Sequence, residues 1–167
     1  METAKESLTN IFSYYPKMLP ILSFAVLDGV SSGYAASSMI HLFPEKYKND
    51  QIVFAIYLSV SGVGTMIAGF FGGKVCDAYP LKKGGIMLIF WYILGCLVCY
   101  LTYFVGSIYL VYASAFFWGF QIVFEQSYVL VCCSKMYEGS KQSFAIVKQV
   151  HSLSFIIYEV ISLATHN

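Results

Sequence analysis

The chain has 167 residues, 58% hydrophobic and only 11% charged, with a formal net charge of +1; a soluble domain usually carries about 25% charged residues. With 18% aromatic residues and a mean hydropathy of +0.68, there are too few charges to build a polar shell. Disorder, a collagen-like repeat and nucleic-acid binding are disfavoured, and the composition reads as an all-α integral membrane protein set in a lipid bilayer.

Residues 1–17 mix polar and apolar side chains without a continuous apolar core, so no secretory signal peptide is read there. The stretch Lys5 to Lys17 carries Leu8, Ile11, Phe12, Tyr14 and Tyr15. It fits a short interfacial helix and a flexible lead-in equally well. A membrane helix needs roughly 20 apolar residues. The first such run spans about 18–43 and carries one charge, Asp28; the second, about 51–73, carries none. From Gly84 to Phe124 there is again no charge, over a length suited to two spans, with Gly106-Ser107 as the turn between them. The third span is therefore about 84–105, the fourth about 107–134 with Glu125 inside it, and the fifth about 143–164 with Lys148, His151 and Glu159. The runs are continuous and long, unlike the short alternating strands of a membrane barrel. Residues 1–17 then form a leading segment and 18–167 a five-helix transmembrane domain.

All basic residues are lysine, which excludes bidentate arginine clamps. Lys5, Lys17, Lys74, Lys82, Lys83, Lys135 and Lys141 fall on one side of the spans; only Lys46 and Lys48 fall on the other, partly offset by Glu45 and Asp50. That bias places the N-terminus in the cytosol and the C-terminus opposite.

The segment between the second and third spans reads Gly72-Gly73-Lys74-Val75-Cys76-Asp77-Ala78-Tyr79-Pro80-Leu81-Lys82-Lys83-Gly84. Gly73, then Asp77, then the pair Lys82 and Lys83, set between two membrane helices, resembles the signature loop of the major facilitator superfamily. Without that resemblance, the same residues read as a lysine-rich surface loop with a turn proline. Ala78 stands where the family often has arginine and Pro80 where it often has glycine. Three further stretches, Leu19-Pro20, Phe116 to Gln121 followed by Glu125-Gln126, and Phe144 to Lys148 followed by Ser152, resemble the C-terminal half of the Unc-ninety-three-like branch. The resemblance covers about Leu19 to Ile161. It implies that the five spans correspond to the seventh to eleventh helices of a twelve-helix fold, so the chain reads as a truncated, partial (half) major-facilitator bundle. In the family the signature loop locks one conformation of an alternating-access cycle, with substrate held between two six-helix halves. Some members of the branch act as channel regulators or trafficking partners.

Ionisable residues at mid-depth are costly and face partners or water. Asp28 lies about 15 Å into the first span at 1.5 Å per residue, on a face with Ser31, Ser32 and Ser38. Glu125 is similarly deep and shares a face with Trp118, Gln121, Tyr128 and Cys132 at three- and four-residue spacing. Lys148, His151, Ser152, Phe155, Glu159 and Ser162 form a polar stripe on the fifth span, with Lys148 shallow enough to snorkel. Asp28, Glu125 and His151 read either as a polar or proton-coupled pathway or as interhelical glue. Gly29/Gly33 and Gly69/Gly73 have GxxxG spacing, which suits close helix packing. Trp91, Tyr92, Tyr100 and Tyr103 read as lipid- or interface-facing aromatics. Cys96 and Cys99 have CxxC spacing, but on an apolar helix with no second pair or His nearby, which favours a structural role over metal or redox chemistry. His41, His151 and His166 lie in separate segments, and no HExxH, P-loop or GxSxG occurs. No catalytic residue, cofactor site or metal site is expected. The expected function is a regulatory or accessory partner that acts through helix–helix contacts with another membrane protein or a second copy. The alternatives are a structural subunit of a large membrane complex, and a small-solute or ion transporter assembled from two half-bundles.

Overall fold

The computed structural model describes residues 2–137 and 141–166, and the side chains of 15–137 and 141–165 apart from Ile40. Five long helices account for nearly all of it: α1 Glu2–Gly33, α2 Gln51–Ala78, α3 Leu81–Val105, α4 Ile108–Met136 and α5 Lys141–His166. All five are long and apolar enough to cross a membrane, which is consistent with a multi-pass integral membrane protein, and no strand occurs among the described residues. Side chains 2–14, including Lys5, Leu8, Ile11, Phe12 and Tyr14 of the expected lead-in, lie outside those described, as do the side chain of His166 and residue Asn167.

Several boundaries differ from the sequence reading. The lead-in backbone is helical and runs without a break into α1, through Pro16 and Pro20. The expected first span at 18–43 changes winding at Gly33: Tyr34–Ser38 is a π-helical turn and Met39–Leu42 a 3-10 turn. Serine hydroxyls compete for the backbone there, since Ser37 Oγ donates to the Gly33 carbonyl at 3.0 Å. The expected signature loop is almost entirely helical; only Tyr79 and Pro80 interrupt it. Pro80 stops α2, because the residue before a proline is pushed out of the helical region, and Tyr79 is extended. Asp50 caps α2 by accepting from the Ile52 and Val53 amides at 2.9 and 3.3 Å. Between α3 and α4, Gly106 takes a left-handed conformation (φ 61°) and its amide donates to the Thr102 carbonyl at 2.9 Å. A side chain there would be strained.

α4 is the central helix. It packs on α2, α3 and α1, while α5 packs mainly on α1. Glycines set the close crossings. A Cβ on Gly64 would run into the Phe116 backbone, and one on Gly119 into the Ser61 backbone, so α2 and α4 notch into each other. Gly29 and Gly33 do the same for α1 against α5, at Ser154 and the Tyr158 ring. The lysine-bearing ends gather at one end of the bundle: Lys135 Nζ donates to the Cys76 carbonyl (3.1 Å), Tyr137 Oη to the Lys17 carbonyl (2.7 Å), and Tyr128 Oη to the Leu81 carbonyl (3.0 Å).

Two apolar clusters fill the interior. One, toward the lysine-bearing end, is built around Met18, Leu22, Leu88, Phe124, Val129 and Ile146. The other, toward the opposite end, holds Met39, Phe43, Tyr57, Cys99, Val111 and Trp118. Between the two lies a polar layer.

Candidate functional site

The polar layer is assembled from one or two residues on each of four helices. α1 supplies Asp28 and Ser31, which are buried at 4% and 3% exposure. α4 supplies Gln121 and Glu125, both at 0%, one helical turn apart and on one face. α3 supplies Tyr92, and α5 supplies His151. Asp28 Oδ2 lies 2.9 Å from His151 Nδ1. This is an ion-pair contact rather than an aligned hydrogen bond, because Nδ1 has no partner in hydrogen-bonding geometry. Gln126 Nε2 reaches Asp28 Oδ1 at 3.5 Å.

A second chain of contacts runs through Tyr92. Its Oη lies 2.5 Å from Glu125 Oε2 and 2.5 Å from Ser31 Oγ, and Ser31 Oγ in turn contacts the Leu27 carbonyl at 2.7 Å. One hydroxyl thus ties α1, α3 and α4 together at the middle of the bundle. Three buried polar atoms are left over: Glu125 Oε1 and both side-chain atoms of Gln121 have no hydrogen-bond partner. The Gln121 amide sits against Gly95, where a Cβ would come within 3.1 Å of Oε1.

Beside this layer lies an open-sided cavity of about 380 Å³. Its walls include Ser31, Tyr34, Tyr92, Cys99, Trp118 and Tyr158. Trp118 Nε1 donates to Cys99 Sγ at 2.7 Å, and Tyr158 Oη lies 2.6 Å from Ser38 Oγ. Tyr92 therefore has its ring at the cavity wall and its hydroxyl on the buried carboxyl.

The sequence-predicted residues divide clearly. Asp28, Gln121, Glu125 and His151 come together. Lys148 is exposed, and Glu159 is half-buried with its Oε1 lacking a partner. The expected α5 stripe splits, because Lys148 and Ser152 face outward; the buried face runs instead through Ser143, Ile146, Val147 and Ser154. The signature residues do not form a shared site. Lys82 and Lys83 are exposed in the first turn of α3, and Gly73 faces open space. Asp77 caps no helix; its carboxylate lies 3.8 Å from Lys135, with both side chains largely exposed. Cys96 is exposed while Cys99 is buried, all five thiols are free, and no group of three metal-ligating side chains occurs among the described residues.

Tyr92 is the residue that sequence reasoning placed wrongly. It is not a lipid-facing aromatic like the exposed Tyr100 and Tyr103, but the link to Glu125. A signal was present. Gly85, Leu88, Tyr92, Gly95, Cys99 and Thr102 recur at three- and four-residue steps, a mostly small-residue face that marks the side turned to a neighbour.

No family model matches the sequence, and no curated protein or solved structure matches it either. What the structure itself defines is a class: an all-helical bundle of five helices, each long and apolar enough to span a membrane, with a buried polar layer at its centre.

Proposed function

We propose that this is a multi-pass membrane protein, organised as a partial major-facilitator bundle with its lysine-bearing end in the cytosol, that acts as a regulatory or accessory partner through helix–helix contacts. One observation carries this reading. Gly62, Gly69 and Gly73 on α2 have nothing within 4 Å of the Cβ each one lacks, whereas Gly64 and Gly72 on the opposite face receive α4. Ala55, Ser59, Gly62, Met66, Gly69 and Gly73 follow the alternating four- and three-residue steps of a helix seam. A glycine facing lipid tails gains nothing, and it weakens the helix by about 1 kcal/mol relative to alanine. Small residues on an outer face are useful where a second backbone comes close. A half major-facilitator organisation supports the same reading, since it implies a second body for these helices to pack against.

The test is extraction from the native membrane in mild detergent, followed by native mass determination. The expected result is co-purification with another membrane protein, or a second copy, at fixed stoichiometry. Gly62→Leu and Gly69→Leu should lose that partner while keeping the helical circular dichroism of the parent. A lone monomer from native membranes, or a partner retained by both variants, overturns the reading. A second reading, a solute or ion path completed by another half-bundle, is favoured by the buried carboxyls beside the open-sided cavity. Flux that Asp28→Asn abolishes, in a protein that still assembles, would select it.

A further inference from the structure

We propose that Glu125 is a proton-binding site, and that its carboxyl carries the proton in the conformation described here. The inference goes beyond the accessory role and stands whether or not a partner covers α2. It rests first on a count of hydrogens. Three oxygen–oxygen contacts run in series: Glu125 Oε2 to Tyr92 Oη at 2.5 Å, Tyr92 Oη to Ser31 Oγ at 2.5 Å, and Ser31 Oγ to the Leu27 carbonyl at 2.7 Å. Contacts this short need a hydrogen in each. Tyr92 and Ser31 have one hydroxyl hydrogen apiece, and the Leu27 carbonyl has none. The third hydrogen has to come from the carboxyl. With it, Glu125 donates to Tyr92, Tyr92 to Ser31, and Ser31 to the carbonyl.

Charge accounting points the same way. Glu125 is fully buried and, among the described residues, has no ion pair. The groups facing it are accounted for helix by helix. α1 brings Asp28, a second carboxylate, already matched by His151 from α5 at 2.9 Å. α5 also carries Lys148, which is exposed. α3 brings Tyr92. α2 lays Gly64, Ala68 and Gly72 along α4, none of them ionisable, and its Cys76 thiol sits near Cys132, two turns beyond Glu125. An ionised Glu125 would be a second buried negative charge with no cation to answer it. Its Oε1 has no partner; a neutral carbonyl-like oxygen tolerates that far better than a carboxylate oxygen does.

Losing the proton has a structural consequence. Two hydrogens are then left for three contacts, so Ser31 must give up either Tyr92 or its own backbone. Ser31 and Tyr92 both line the cavity, so the contact that gives way lies in its wall. Proton occupancy is thereby linked to how tightly α1 closes on α3 and α4.

The test is infrared spectroscopy of the full chain in lipid vesicles, reading the C=O stretch of protonated carboxyl groups at neutral pH. The expected result is one such band that shifts when glutamate is carbon-13 labelled at its carboxyl, disappears in Glu125→Gln, and persists in Asp28→Asn and Glu159→Gln. Tyr92→Phe should move the band to higher frequency, since the acid loses its acceptor. Should Glu125→Gln fail to fold, isotope labelling of the parent and the Tyr92→Phe shift still decide the matter. The absence of any protonated-carboxyl band at neutral pH, a band insensitive to glutamate labelling, or one unmoved by Tyr92→Phe would each overturn the assignment.

Discussion

The tightest crossing in the bundle makes a prediction with opposite signs at two glycines of α2 and α4. α2 is held chiefly by α4, and the seam is a pair of reciprocal notches, Gly64 under Phe116 and Gly119 under Ser61. In Gly119→Ala the new methyl group meets the Ser61 carbonyl and lies 2.8 Å from Ser61 Oγ. The hydroxyl can rotate away, but the carbonyl belongs to the α2 backbone and cannot move unless the helix axes separate. Overpacking of this kind costs about 1–3 kcal/mol, and the better helix propensity of alanine returns about 1 kcal/mol. The net expectation is a loss of up to about 2 kcal/mol. At Gly62 no atom lies within 4 Å of the added methyl group, so only the propensity gain remains and Gly62→Ala is expected to stabilise the chain by up to about 1 kcal/mol. Reversible unfolding in mild detergent with increasing sodium dodecyl sulfate, followed by far-ultraviolet circular dichroism, measures both. Equal effects of the same sign at the two positions would refute the glycine-notch account of how α2 and α4 meet.

Three further outcomes are expected. Tyr92→Phe removes the hydroxyl shared by Ser31 and Glu125 and should destabilise by about 1–3 kcal/mol, whereas Tyr100→Phe, at an exposed position, should change nothing; the same unfolding assay separates them. His151→Ala leaves the Asp28 carboxylate buried with only the long Gln126 contact and should cost about 3 kcal/mol, the low end for a broken buried pair because Nδ1 is poorly aligned. Adding Asp28→Asn should recover most of that loss, and a double-mutant cycle showing no coupling would contradict the pairing. Lys135→Met removes a cation from the C-terminal end of α2. Because the side chain is largely exposed, the loss should be at most about 1 kcal/mol and should shrink with added salt.

Much of the architecture was legible in one dimension. The length of each apolar run sets the number of helices, because a helix rises 1.5 Å per residue and a bilayer core is about 30 Å thick. Gly106-Ser107 marked a turn inside an otherwise uninterrupted apolar stretch, and the structure places the left-handed glycine there. Asp28, Gln121, Glu125 and His151 stood out because polar side chains are conspicuous against apolar surroundings, and all four lie in the central layer.

Only the tertiary structure decided which faces meet. A helix suited to lipid is apolar all round, so hydropathy does not mark its buried side; packing, rather than exclusion from water, selects the contacts. Two GxxxG pairs look alike in the sequence, yet Gly29/Gly33 receives α5 and Gly69/Gly73 receives nothing from this chain. The π-helical turn at Tyr34–Ser38 depends on serine hydroxyls and a tyrosine from α5 that lies far along the chain. The link from Tyr92 to Glu125 likewise exists only because α3 and α4 pack antiparallel with Gly95 opposite Gln121. Composition and run length determined the kind of molecule, while side-chain fit between helices determined where its polar centre lies.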